Sequence, residues 1–150
     1  MTRPNRPLDI LLVEDNPADV RLTQEALKEN HAIGHLTVVG DGVEAMTRLR
    51  DPSNRRPDLI LLDLNLPRMD GRQVLQALKT DSDLHTIPIV VLTSSTRAED
   101  VQRAYDLHAN SFVPKPIGFG EFLRTLKIIE TFWLGVVSLP GPALAGKLEV

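Results

Sequence analysis

Short apolar runs punctuate this chain at intervals of roughly 25–30 residues. They are Leu8-Asp9-Ile10-Leu11-Leu12-Val13, Leu36-Thr37-Val38-Val39, Leu59-Ile60-Leu61-Leu62 and Ile87-Pro88-Ile89-Val90-Val91-Leu92, with a weaker fifth at Ser111-Phe112-Val113. The runs are continuous rather than alternating, which predicts strands buried on both faces of a parallel sheet. Helical patterns fill the intervals. Asn16 before Pro17 is an N-cap with proline at the first helical position, and its helix should reach about Asn30. Asp41-Gly42 opens a helix ending near Arg50, and Asp70-Gly71 opens one running to about Thr80. A fourth should span about Arg97 to His108, with Val101, Ala104, Tyr105 and His108 on one face and Asn110 as a left-handed stop. The fifth begins near Gly118–Phe119 and reaches at least Phe132.

Alternating strands and helices with short links define an α/β (βα)5 fold, a doubly wound parallel five-stranded sheet with right-handed crossovers. Such a sheet binds ligands at the carboxyl ends of its strands. Glu14 and Asp15 follow the first strand, Asp63 ends the third, Thr93 and Ser94 end the fourth, and Lys115 follows the fifth. Three carboxylates, a hydroxyl and an ammonium thus converge on one rim. Crowded carboxylates repel, and a hard divalent cation relieves that cost through oxygen ligands. Cation, lysine and hydroxyl together suit the charge on a transferring phosphoryl group, and a carboxylate can accept one as an aspartyl-phosphate. Asp63, on the central strand, is the expected acceptor. Singly, each residue has an ordinary explanation: a helix-dipole partner for Glu14-Asp15, a turn residue for Asp63, a surface cation for Lys115. Their joint placement at separate strand ends favours chemistry.

Composition narrows the classes. The 150 residues carry 17 Lys plus Arg against 20 Asp plus Glu, a net charge of −3, so there is no basic footprint for nucleic acid. There is no cysteine, which excludes thiolate metal sites, cysteine nucleophiles and disulfides. His31, His35, His85 and His108 lack ligand spacing and are expected at the surface. The start has no apolar signal region, and the uncharged stretch from Thr131 to Gly146 is broken by Pro and Gly. No membrane partner is expected, and the chain is assigned to the cytoplasm.

The strings Leu11-Leu12-Val13-Glu14-Asp15-Asn16, Asp41-Gly42-Val43-Glu44-Ala45, Asp58-Leu59-Ile60-Leu61-Leu62-Asp63 with Pro67, Met69-Asp70-Gly71, Val91-Leu92-Thr93-Ser94 and Lys115-Pro116 resemble the receiver domain of two-component response regulators, the CheY-like, flavodoxin-like fold. The resemblance covers about residues 8–130 and implies strand order 2-1-3-4-5. It implies that Asp63 accepts a phosphoryl group from a sensor histidine kinase. Glu14 (through water), Asp15, Asp63 and the Asn65 backbone carbonyl would hold Mg²⁺, with Mn²⁺ a possible substitute. Lys115, joined to Pro116 by a cis bond, would contact the phosphoryl group. Thr93 would move toward it and Phe112 would be the switching aromatic, reshaping the face of helix 4, strand 5 and helix 5. Such a protein catalyses only its own phosphorylation and dephosphorylation and is otherwise no enzyme.

The expected organisation is a flexible tail at 1–7, a receiver domain at 8–132 and an apolar C-terminal extension and tail at 133–150. Only 18 residues follow Phe132, too few for a DNA-binding output domain. All six aromatics lie between Tyr105 and Trp133. Phe122, Leu126, Ile129 and Trp133 form the expected core stripe of the last helix, and Ile128 with Phe132 forms a second apolar pair. The surplus is either a folded-back tail or, preferred, a homodimer interface through the helix 4 to helix 5 end involving Ile128, Phe132 and Trp133. The string from Glu130 to Pro140 is similar to the extension of regulators that partner bacterial phytochrome kinases, which implies a light-regulated histidine kinase as phosphodonor.

Three other readings compete. A haloacid-dehalogenase-type phosphohydrolase resembles Asp-x-Asp at its nucleophile strand, but here the second position is Asn65. A flavodoxin-like cofactor carrier needs a Ser/Thr/Gly-rich phosphate loop where this chain has Glu14-Asp15-Asn16-Pro17. A metal-free adaptor would not need Asp15, Asp63, Thr93 and Lys115 all intact.

Overall fold

The computed structural model describes residues 7–95 and 97–140. The elements are β1 (Leu8–Val13), α1 (Pro17–Leu27), β2 (Ile33–Val39), α2 (Gly42–Arg50), β3 (Leu59–Leu62), α3 (Gly71–Lys79), β4 (Ile89–Thr93), α4 (Ala98–Asp106), β5 (Ser111–Pro114) and α5 (Phe119–Ile129). A π-helical segment, Glu130–Val136, prolongs α5. All four strand pairings are parallel, in the expected order β2-β1-β3-β4-β5.

The sheet separates two cores, because alternate residues of a strand point to opposite faces. Leu11, Val13, Ile60, Leu62, Ile89 and Val91 pack against α2, α3 and α4 through Met46, Val74, Leu75, Leu78 and Ala104. Ile10, Leu12, Leu59, Leu61, Val90 and Leu92 pack against α1 and α5 through Ala26, Leu27, Phe122, Leu126 and Ile129. The runs are continuous in sequence because both faces are covered.

Several boundaries differ from expectation. Helix α1 stops at Leu27; beyond it the Asn30 N–H donates to the Leu27 carbonyl at 3.1 Å, and the Asn30 side chain turns the chain toward β2 by accepting from the Ala32 N–H at 2.8 Å. Strand β4 begins at Ile89, not Ile87, since Pro88 has no N–H to give the ladder. Helix α4 ends earlier than His108. The left-handed residue there is His108 (φ 69°), not Asn110, and the Ala109 N–H bonds back to the Ala104 carbonyl at 3.0 Å in a Schellman arrangement. Of the face expected on α4, only Ala104 is buried, and Tyr105 is exposed. Asn110 instead joins β4 to α3, accepting from the Ile89 N–H at 2.8 Å and the Lys79 ammonium at 3.1 Å.

The Lys115–Pro116 bond, expected cis, is trans; there is no cis peptide bond among the described residues. Trans is the lower-energy isomer by about 0.5–1 kcal/mol even before proline. At the chain's far end the π turn closes with the Val137 N–H on the Phe132 carbonyl, five residues back, at 3.0 Å. The wider turn carries Leu134 into the core where straight α-helical spacing placed Trp133. Trp133 is half-buried against the α1–α5 core, and Leu139 also packs there. The expected flexible tail lies, apart from Pro7, outside the described residues, as do residues 141–150 of the extension.

Candidate functional site

The carboxyl ends of β1, β3, β4 and β5 meet at one rim. Parallel pairing puts Val13 beside Leu62, and the Asp63 N–H donates to the Val13 carbonyl at 3.0 Å, carrying the ladder one step past both strands. Glu14 is tied likewise to β2 by its N–H on the Val39 carbonyl at 3.0 Å. Lys115 donates its backbone N–H to the Thr93 carbonyl at 2.7 Å, one step beyond the Thr93–Pro114 pair. These side chains therefore stand on extensions of the sheet, not on free loops.

The loop after β3 is held by close packing. Leu64 is fully buried, and the Gly71 N–H donates to its carbonyl at 3.0 Å. A Cβ on Gly71 would run into the Asp63 carbonyl oxygen, and one on Gly42 into the Met69 carbonyl oxygen. Only glycine lets α3 start this close to the end of β3. Helix α3 is fastened there by a capping box between Asp70 and Gln73.

Within this frame Glu14 and Asp63 are buried and Asp15 is exposed, and carboxylate oxygens of all three lie within 4.8 Å of one another. The Lys115 ammonium spans the cluster, 2.5 Å from Glu14 Oε1, 3.0 Å from Asp63 Oδ2 and 2.8 Å from Asp19 Oδ2. Burial works against the ammonium, but hydrogen bonds to Asp19 and Glu14 and the charges of Asp63 and Glu14 outweigh it, so its pKa is raised. Glu14 is pushed up to about 7, first by burial and then by the Asp63 carboxylate, against the opposing pull of Lys115. One lysine does not offset all the negative charge gathered here. The donor set is all oxygen, clustered and short of positive charge, and it fits a hard dication.

Around the cluster, the exposed Asn65 donates its backbone N–H to Asp63 Oδ1 at 3.1 Å and lies 3.5 Å, through Nδ2, from the hydroxyl of fully buried Thr93. Ser94 is exposed. Phe112 is partly buried against the α2–α4 core. It pairs with Val91, so it sits on the face of the sheet that carries Thr93. Its N–H donates to the Tyr105 hydroxyl at 3.2 Å. Ile128, Phe132 and Trp133 lie far along the α5 axis, away from the rim. Ile128 and Phe132 are exposed, and Phe132 meets Trp133 edge to face with ring centroids 5.6 Å apart. All four histidines are exposed, as expected.

Asp19 was not among the expected site residues. It is the third residue of α1 and reads locally as a helix-dipole carboxylate. The available signal was position: a helix starting directly after β1 must bring its first turn back over the rim.

A rim of this kind, at the end of a five-stranded sheet of this order, defines a phosphoryl-accepting signalling domain. The chain belongs to the response regulator receiver domain family, which matches residues 10–127. It is 45% identical to the response regulator Rcp1 of Synechocystis sp. over 140 residues, covering 91% of this chain and 95% of that relative. Among solved structures, the Mn²⁺-bound form of Rcp1 is similar with a TM-score of 0.87 and 46% identity, covering 90% of this chain and 100% of that one. The phosphorylated cyanobacterial phytochrome response regulator RcpA matches with a TM-score of 0.87 and 45% identity, covering 90% of this chain and 99% of that one. Receiver domains bind Mg²⁺ or Mn²⁺ through an acidic cluster such as Glu14, Asp15 and Asp63. No helix of the described residues is long and apolar enough to cross a membrane.

Proposed function

We propose that Asp63 receives a phosphoryl group from a sensor histidine kinase and that the resulting charge repacks the α4–β5–α5 face. The observation that carries this reading is the contact of Lys115 with Asp63 inside a buried carboxylate cluster. Glu14, Asp15 and Asp63, with the Asn65 carbonyl, would hold Mg²⁺ or Mn²⁺. When bound, the cation neutralises charge on the carboxylates and the incoming phosphoryl oxygens. Asp63 attacks through a carboxylate oxygen; the bond from phosphorus to the donor nitrogen breaks and the acyl-phosphate bond forms. Lys115 then finds its partner in a phosphoryl oxygen. Burial of Asp63 restricts water at the new bond. Apart from making and hydrolysing its own acyl phosphate, the domain does no catalysis.

Thr93 and Phe112 would relay the change. A phosphoryl group adds about −1.5 to −2 charge and three acceptor oxygens, and the Thr93 hydroxyl is a donor within the same rim. Drawing Thr93 toward it vacates volume on the face of the sheet that also carries Phe112. The aromatic ring turning inward shifts the population between two packings. Tyr105, bonded to the Phe112 N–H, would move with it.

A phytochrome-type kinase is the proposed donor, supported by the 45% identity to RcpA. A homodimer is proposed through Ile128, Phe132 and Val136, which recur every fourth residue and are all exposed, with Trp133 bracing Phe132. With such a donor the protein would work in the cytoplasm beside its kinase. The test is direct: acetyl phosphate with Mg²⁺ should add one phosphoryl group to the wild type, seen as a mass increase, and none to Asp63→Asn. Phosphorylation of Asp63→Asn at the normal rate would refute the acceptor assignment.

A further inference from the structure

Lys115 has three ammonium N–H donors, and the structure gives it three carboxylate acceptors: Glu14, Asp63 and Asp19. Two of these, Glu14 and Asp63, belong to the trio able to share a cation; Asp19 does not. We propose that Asp19 is the positioning residue for Lys115, retaining one N–H of the ammonium while Glu14 and Asp63 turn to the cation and release the other two toward the phosphoryl group. The inference rests on the acceptor role of Asp63 and the phosphoryl contact of Lys115.

The geometry separates this role from a structural one. Asp19 contributes to the α1 cap through its backbone only: its N–H donates to Asn16 Oδ1 at 3.2 Å and its carbonyl accepts from the Thr23 hydroxyl at 2.8 Å. Its carboxylate is therefore dispensable for the cap and is engaged by Lys115, across 96 residues of sequence. The Lys115 stem is buried, so packing limits where the ammonium can go, but without Asp19 an ammonium released by Glu14 and Asp63 keeps no carboxylate to fix the direction of its N–H donors. An additional negative charge at the rim also repels an anionic donor, so the two effects of Asp19 on rate have opposite signs. Positioning dominates because the cation offsets the repulsion, while Asp19 is the one carboxylate partner of Lys115 among the described residues that lies outside the cation-binding trio.

The test uses the full chain with acetyl phosphate at saturating Mg²⁺, following phosphorylation by intact mass while donor concentration is varied. Asp19→Ala should lower the maximal rate about tenfold, and Asp19→Asn, which keeps an acceptor oxygen, about threefold. The half-saturating concentrations of donor and Mg²⁺ should stay within about twofold. With beryllofluoride and Mg²⁺ bound, the Lys115 ammonium should give a protected ¹⁵N–¹H signal in wild type and Asp19→Asn, lost to solvent exchange in Asp19→Ala. An unchanged or faster rate in Asp19→Ala, equal losses in the two variants, or a loss confined to Mg²⁺ affinity would overturn the proposal. If Asp19→Ala fails to fold, an Asp19→Asn rate equal to wild type together with an unprotected ammonium overturns it. Asp63→Asn serves as the control: its phosphorylation would refute the acceptor assignment, whereas a silent Asp63→Asn beside a normal Asp19→Ala refutes only the role of Asp19.

Discussion

The Lys115 ammonium lies 3.0 Å from Asp63 Oδ2, although the two residues extend strands β5 and β3 with β4 between them. The lysine reaches across a neighbouring strand end because its stem is long, and its side chain is almost wholly buried on the way. It is the resting counter-charge of a site whose carboxylates otherwise repel.

Replacing Lys115 with Met should therefore leave buried carboxylates uncompensated. A loss of about 2–4 kcal/mol is expected in urea unfolding without divalent cation. Mg²⁺ should stabilise this variant more than it stabilises the wild type, since it supplies the missing positive charge. Equal Mg²⁺ stabilisation of both proteins would count against a shared electrostatic role.

Gly71→Ala should cost about 2–3 kcal/mol, because the added methyl meets backbone that cannot rotate away. The backbone it displaces is the Asp63 carbonyl, so phosphorylation by a small donor should slow as well. A melting temperature and a rate both matching wild type would show that the loop relaxes freely.

Asp100 links the start of α4 to α3 and to the β4–α4 loop, accepting from the Ser95 hydroxyl and, at 2.8 Å, from Arg72. The Ser95 hydroxyl foremost, and then Arg72, hold its carboxyl below the ordinary 3.8. A depressed carboxylate stabilises the fold above its unfolded-state pKa and loses that contribution as pH falls through the folded value. The acid limb of the stability curve, below pH 3.8, should thus be shallower in Asp100→Asn, measured as urea midpoint against pH. An identical acid limb would mean that this clamp contributes nothing to the fold.

Leu134 and Phe132 should separate core from interface. Leu134→Ala, at a buried position, is expected to lower stability by about 2–3 kcal/mol. Phe132→Ala, at a half-exposed one, should leave stability nearly intact and weaken self-association, read by sedimentation at micromolar concentration. An unchanged sedimentation profile would remove the proposed dimer face.

Much of the architecture was legible because its signals are local. Four apolar runs marked their strands, and Asn16, Asp41 and Asp70 marked helix starts that the structure confirms with side-chain caps. The convergence of Glu14, Asp15, Asp63, Thr93 and Lys115 at one rim followed from strand ends alone. Asp19 was not legible, since its contact with Lys115 spans 96 residues and depends on the angle at which α1 leaves β1. The π turn was equally hidden: periodicity assumes a constant pitch, and one wider turn buried Leu134 and left Trp133 only half-buried at the core's margin.

The amino-acid order by itself determined which segments are strands, which are helices and which chemical groups end each strand, because burial on two faces and capping act over a few residues. Which of those groups actually touch was decided only in the tertiary structure. A hydrogen bond depends on tenths of an ångström, and such distances are set by the packing of whole helices against the sheet.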